Sequence, residues 1–249
     1  MRFLYACFAV AVLGDWSAAR ADDAEDAAAK WVEGVGGKLT RDDKAPGKPV
    51  VAVHFGPVNK KVTNDGLKEL KAFKSLKTLS VFFCEQIGDD GMKHVKELTG
   101  LESLTLGNTS VTDAGLAELK DLKKLKSLTV SGAIRMTDKS ADTIKGFTDL
   151  EYLSLPSTIT ETGVKKIVGL KKLRTLYLSG TAVGDDAVKD IAALTELEEL
   201  YLGTGVTDAA IDDLAKLQKL KKLSLFGSKI TATGLKTLRA KLPDCTITK

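Results

Sequence analysis

The feature that most constrains this chain is a period. The pattern Leu-x-x-Leu-x-Leu, with Val in places, recurs as Leu76/Leu79/Val81, Leu101/Leu104/Leu106, Leu125/Leu128/Val130, Leu150/Leu153/Leu155, Leu173/Leu176/Leu178, Leu197/Leu200/Leu202 and Leu220/Leu223/Leu225. The starts lie 25, 24, 25, 23, 24 and 23 residues apart, and an earlier copy, Val50/Val53/Phe55, precedes them by 26. Self-similarity at this period means one supersecondary unit per copy, and such a unit cannot bury its own apolar face. The units must therefore stack, each covering its neighbours.

Each copy continues in the same way. After the apolar strand come segments such as Val111-Thr-Asp-Ala-Gly-Leu116, Ile159-Thr-Glu-Thr-Gly-Val164 and Val206-Thr-Asp-Ala-Ala-Ile211. Apolar residues then fall every third position, as in Leu116, Leu119 and Leu122, which keeps one face of a short helix apolar. The Thr is placed to cap that helix, and the acid after it meets the positive end of the helix dipole. Strand, turn, helix and return make up the unit.

These motifs resemble the leucine-rich repeat family over roughly residues 50 to 242, in the variant of exported bacterial proteins, which is similar to the cysteine-containing repeats of F-box adaptors. The resemblance implies an α/β solenoid, a curved right-handed horseshoe with a parallel concave sheet and helices on the convex side. One column departs from the family. Asn or Cys often ties the turn nine positions into the unit, whereas here the column reads Val58, Cys84, Thr109, Ala133, Thr158, Thr181, Gly205 and Ser228, so that the hydrogen-bond ladder there must be weaker or carried by Thr.

The ends are read separately. Arg2, an apolar run from Phe3 to Gly14 and the small-x-small pair Ala19/Ala21 predict a secretory signal over residues 1–21, cleaved after Ala21. Residues 22–49 form an amino-terminal cap: a helix over 22–33, a stop at Gly36-Gly37 and a short strand over Lys38–Arg41. Eight repeats fill 50–242, and residues 243–249 supply a closing strand. Beyond the signal no stretch is long and apolar enough to span a membrane. Secreted, periplasmic or cell-surface localisation follows.

Composition excludes several classes. With 43% apolar residues the chain is not disordered, and 22 Gly with 5 Pro is not collagen-like. The 37 basic and 33 acidic residues nearly cancel, and the cancellation is local: the second position of successive units reads Lys77, Glu102, Lys126, Glu151, Arg174, Glu198 and Lys221. The position before each first Leu alternates similarly, as Lys124, Asp149, Lys172, Glu196 and Lys219. In parallel register this is a ladder of opposite charges that specifies the stack. A stripe of alternating sign has no field to attract phosphates, which excludes nucleic acid. Cys84 and Cys245 sit too many strands apart for a disulfide and are expected as buried thiols.

Outward-facing residues of the concave sheet are the candidate binding surface. There the middle of the sheet is small and hydroxylated, while Tyr152, Tyr177 and Tyr201, with Phe226, give the carboxy-terminal half a patch suited to a protein or glycan partner. Equally, Tyr suits strands and stacked rings cover a sheet. His54 also faces outward, and Phe82, with Phe83 beside it or turned inward, marks a second apolar spot.

Enzyme readings fare poorly. The two histidines, His54 and His94, lie in different units, and the strand Ser and Thr residues form columns rather than one activated nucleophile. Asp89, Asp113, Asp138, Asp185 and Asp208 recur at one rim but lack the oxygen spacing of a calcium loop. No catalytic residue, metal or cofactor is expected. The chain reads as an exported, non-enzymatic, monomeric module that binds another protein or a cell-surface glycan. The alternatives are an F-box-type substrate adaptor, for which residues 22–49 are too short and polar to supply the F-box segment, and a metal-dependent or enzymatic module.

Overall fold

The computed structural model describes residues 16–57 and 59–249, so the expected signal lies outside the described residues as far as position 15, as does Val58. Strands β1 (Gly37–Arg41), β2 (Val50–Phe55), β3 (Thr78–Ser80), β4 (Ser103–Thr105), β5 (Ser127–Thr129), β6 (Tyr152–Ser154), β7 (Thr175–Tyr177), β8 (Glu199–Tyr201), β9 (Lys222–Ser224) and β10 (Thr246–Thr248) form one sheet in chain order. Every pair is parallel except β1 with β2. This is the α/β leucine-rich repeat solenoid that the resemblance implies, one strand and one helical segment to a unit.

Strand alternation dictates what each three-residue strand does. The central residues Leu79, Leu104, Leu128, Leu153, Leu176, Leu200 and Leu223 stand opposite one another in register and are fully buried, while their neighbours face outward. Across from them pack α2 (Asp89–Val95), α3 (Asp113–Glu118), α4 (Ser140–Ile144), α5 (Glu161–Ile167), α6 (Asp185–Ile191), α7 (Ile211–Leu214) and α8 (Ala232–Lys241). In the first unit the helical segment is a 3-10 turn, Asp65–Ala72. One apolar core runs unbroken from Ala28 to Ile247.

The Thr residues cap as the motif predicts: hydroxyls of Thr112, Thr160, Thr207 and Thr231 accept the N–H groups of Ala114, Thr162, Ala209 and Gly234. An acid that follows the capping Thr, or the Gly that replaces it, also reaches into the next unit. Asp89 accepts both the N–H and the hydroxyl of Thr112, at 2.8 and 2.7 Å. The same double bond joins Asp113 to Thr137, Asp138 to Thr160, Asp185 to Thr207 and Asp208 to Thr231. Where the next unit has Gly instead of Thr, one bond remains, from Gly88 to Asn64 and from Gly184 to Glu161.

This ladder explains the Gly of the motif. A Cβ on Gly115, Gly163 or Gly234 would lie 2.2, 2.4 or 2.1 Å from the carboxylate of Asp89, Asp138 or Asp208. Where a side chain occupies that place opposite a doubly bonded Asp, at Ser140 and Ala210, the α-helix starts late, at Ser140 and Ile211. Ala187 holds that place in the unit whose preceding acid, Glu161, makes a single bond to Gly184, and there α6 begins on time at Asp185.

Of the two alternatives for the departing column, Thr ties the turn in three units. The hydroxyls of Thr109 and Thr181 donate to the carbonyls of Leu106 and Leu178, and that of Thr158 to Met136 in the preceding unit, each at 2.6 Å.

At the amino-terminal end, helix α1 (Trp16–Gly34) starts earlier than the expected 22–33 and buries Ala28, Ala29 and Val32, while Trp31 meets Phe55 edge-on at 5.8 Å. Glu25 accepts the N–H of Val50 at 2.7 Å and pairs with Arg41 at 3.3 Å, which ties helix to strand. At the other end β10 continues the parallel sheet beyond β9.

Two expectations need correction. The charge ladder is not continuous: Glu102 binds Lys77 and Lys126, and Glu198 binds Arg174 and Lys221, but among the described residues Glu151 pairs with neither neighbour. Lys126 and Arg174 both turn away from it, because each has a carboxylate on its other side at 2.8 or 2.5 Å. Cys84 is buried, with its thiol pushed up to about 11 by that burial, but Cys245 in the closing segment is only half-buried. Nothing stacks beyond β10 to cover it among the described residues. Both thiols are free.

Candidate functional site: the open sheet face

The outer face of the sheet is built from Ala52 and His54 of β2 and from the first and third residues of each three-residue strand β3–β9. Along β3–β5 these are small or hydroxylated, and along β6–β9 they become Tyr152, Ser154, Thr175, Tyr177, Glu199, Tyr201, Lys222 and Ser224. Among these outward positions of β2–β9 the charges are confined to the directly opposed pair Glu199 and Lys222, with His54 as the remaining titratable non-tyrosine group.

Three of the expected residues come together. Tyr177 and Tyr201 face each other in register, so their rings stack with centroids 3.8 Å apart and planes 10° from parallel. Tyr152 sits one strand over and one level lower, opposite Thr175, and reaches Tyr177 diagonally at 5.4 Å and 42°. The hydroxyl of Tyr201 donates to Glu199 at 2.6 Å, and the Lys222 ammonium lies 5.2 Å from the Tyr201 ring centroid. The result is a fixed row of phenols closed at the β9 side by a cation.

The row perturbs its own hydroxyls. Burial, and then the neighbouring Tyr201 hydroxyl, push Tyr177 up to about 12. Tyr201 is raised by burial and by donating to Glu199, and Tyr152 chiefly by burial. All three are neutral donors and acceptors at neutral pH.

The other expected residues stand apart. Phe226 is 81% exposed and has no ring partner among the described residues. His54 is exposed on β2, between Lys38 and Ser80 in register, four strand spacings or about 19 Å from the strand of Tyr152. Phe82 is half-buried over Gly107, and Phe83 turns outward with its ring 4.5 Å from that of Phe82. Glu199 and Lys222 join the site beyond the expected residues, and their signal in the sequence is their place in the outward columns next to Tyr201.

The acidic rim is occupied from within: each of Asp89, Asp113, Asp138, Asp185 and Asp208 spends its oxygens on the next unit's Thr. Among the described residues no group of His, Cys, Asp and Glu is placed to hold a metal ion, and no helix is long and apolar enough to cross a membrane.

Comparison with known proteins agrees with this architecture. A family profile described as leucine-rich repeat region matches residues 58–245. Among solved structures, internalin C2 of Listeria monocytogenes is similar at a TM-score of 0.55 and 26% identity, covering 91% of this chain and 82% of its own. A leucine-rich repeat protein of Leptospira interrogans matches at a TM-score of 0.41 and 19% identity, over 73% of this chain and 62% of its own. Among curated proteins none matches.

Proposed function

Because the chain belongs to the leucine-rich repeat family, we propose that it is an exported, non-enzymatic module whose open sheet face binds another protein. The observation that carries this reading is the stacked pair Tyr177 and Tyr201, with Tyr152 beside them. Rings held on rigid strands give large contact area at little further entropic cost, and their hydroxyls add directional bonds. A sugar platform needs an open ring face. Here Tyr177 and Tyr201 cover each other, and Lys222 lies against Tyr201, so edges and hydroxyls are what the surface offers. That favours a protein over a glycan.

Export rests on the pattern of residues 1–21, and amino-terminal sequencing of the mature protein checks it, with Asp22 expected first. Pull-down from the cell-surface fraction with wild type and with Tyr177→Ala/Tyr201→Ala tests the binding face. Loss of the partner from the variant is expected, and identical partners on both baits would sink the assignment. Since the face is nearly uncharged, the captured complex is expected to survive raised salt.

A further inference from the structure

Five of the turns that follow β3–β9 share a left-handed third residue, and one of the five departs from the residue types that such a place favours. In the segments Val130–Ala133, Leu178–Thr181 and Leu225–Ser228 the fourth N–H donates to the first carbonyl, at 3.1, 3.2 and 2.9 Å, and the third residue is Gly132, Gly180 or Gly227 with φ of 75°, 78° and 78°. A turn with φ > 0 at its third residue asks for Gly or Asn, and the unit starting at Leu101 accordingly places Asn108 there at 55°. The corresponding segment Val81–Cys84 makes the same bond at 3.1 Å, yet its third residue is Phe83 at φ 59°. A bulky side chain in the left-handed region is strained.

The residue with the strained backbone also faces outward. Phe83 is one of three large apolar residues exposed among the described residues. Its N–H donates to the Gly107 carbonyl at 3.0 Å, and its ring meets Phe82 edge-to-face at 79°. Phe82 in turn packs against Gly107, where a Cβ would come within 2.9 Å of its ring. Glycine under one ring and a tolerated left-handed backbone under the other hold the pair in place on the margin of the sheet face. Local rules that a sequence breaks without structural need mark functional positions.

Building on the protein-binding reading of the tyrosine row, we infer that Phe82 and Phe83 are a second anchor of the same interface, seating an uncharged, apolar side chain of the partner polypeptide. The surface between the two anchors decides the chemistry. Ser103, Thr105, Ser127 and Thr129 carry no charge, so nothing there selects a charged partner. From the strand preceding Phe82 to that of Tyr152 is three strand spacings, about 14 Å, and to that of Tyr201 five, about 24 Å, the width of a patch in an ordinary protein interface.

A displayed library of random peptides selected on the full-length wild type tests this. The expected clones are rich in aromatic and aliphatic residues and poor in charge, and they lose at least roughly tenfold in affinity against both Phe82→Ala and Phe83→Gly. Phe83→Gly is expected to keep its thermal midpoint within a few degrees, because glycine fits the backbone there; Phe83→Asn, the residue of the next unit, serves as the second probe. Clones lost on Tyr177→Ala/Tyr201→Ala but retained by the folded Phe83 variants overturn the second anchor and leave the tyrosine row standing. Charged clones also overturn it. Clones indifferent to both sets, or no clones at all, overturn both.

Discussion

Asp89 accepts the N–H and the hydroxyl of Thr112, 23 residues further along, while that hydroxyl itself accepts the N–H of Ala114 at 3.2 Å. One carboxylate thus holds the cap of the following helix in position, and the cap holds the helix. Repetition of this relay turns a stack of weakly coupled units into a column with a hydrogen-bonded spine along one rim. Since stability in a repeat array is a sum of unit and interface contributions, the spine belongs to the interface.

Asp89→Ala is therefore expected to destabilise by about 1–3 kcal/mol, the range for losing charge-assisted bonds to partly buried groups. Gly115→Ala should cost a similar amount, because its Cβ would sit 2.2 Å from the Asp89 carboxylate. In the Asp89→Ala background Gly115→Ala should cost clearly less, the remainder coming from Val111, whose Cγ1 would lie 2.9 Å from the new Cβ. Urea denaturation of the four proteins checks the coupling, and additive losses would rule the relay out.

Acid is expected to release the spine. The bonds from the Thr231 hydroxyl and then its N–H hold the Asp208 carboxyl below the usual carboxylate range. A group whose folded value is depressed adds stability that is present above its unfolded value, about 3.9, and lost as pH falls through the folded one. The gap in denaturation midpoint between wild type and Asp208→Ala should be constant above about pH 5 and close below pH 4.

Alkali should act on the tyrosine row. With Tyr177 at about 12, the folded protein holds this proton more tightly than the unfolded chain, whose tyrosines ionise near 10. The associated stability is present below about pH 10 and lost as pH rises through 12. Tyrosinate absorbance is expected to show a late step that Tyr177→Phe removes.

Charge specifies locally. Glu198 bridges Arg174 and Lys221 at 2.5 and 2.6 Å, whereas Glu151 bridges nothing among the described residues. Glu198→Lys should lower the thermal midpoint at low salt and lose most of that effect at 1 M, where screening acts within about 3 Å. Glu151→Lys should change it little by comparison.

Much of this molecule is determined by sequence alone. A 23 to 26-residue period with leucines at fixed places decides which side of each strand is buried, and hence that Tyr152, Tyr177, Tyr201 and His54 share one face. Strand alternation and helical period are local rules, so they hold before any unit meets its neighbour. What depends on the offset between units had to come from the tertiary structure: that Tyr177 stacks on Tyr201 while Phe226 stands alone, that Glu151 is left out of the ladder, that β1 runs antiparallel, and that each rim Asp reaches its successor's Thr. These are contacts across interfaces, where rotamer choice and a few ångströms of displacement select among partners that the sequence lists equally. Phe83 shows both sides at once: its place in the repeat is legible, but only the folded turn reveals that the place demands a left-handed backbone.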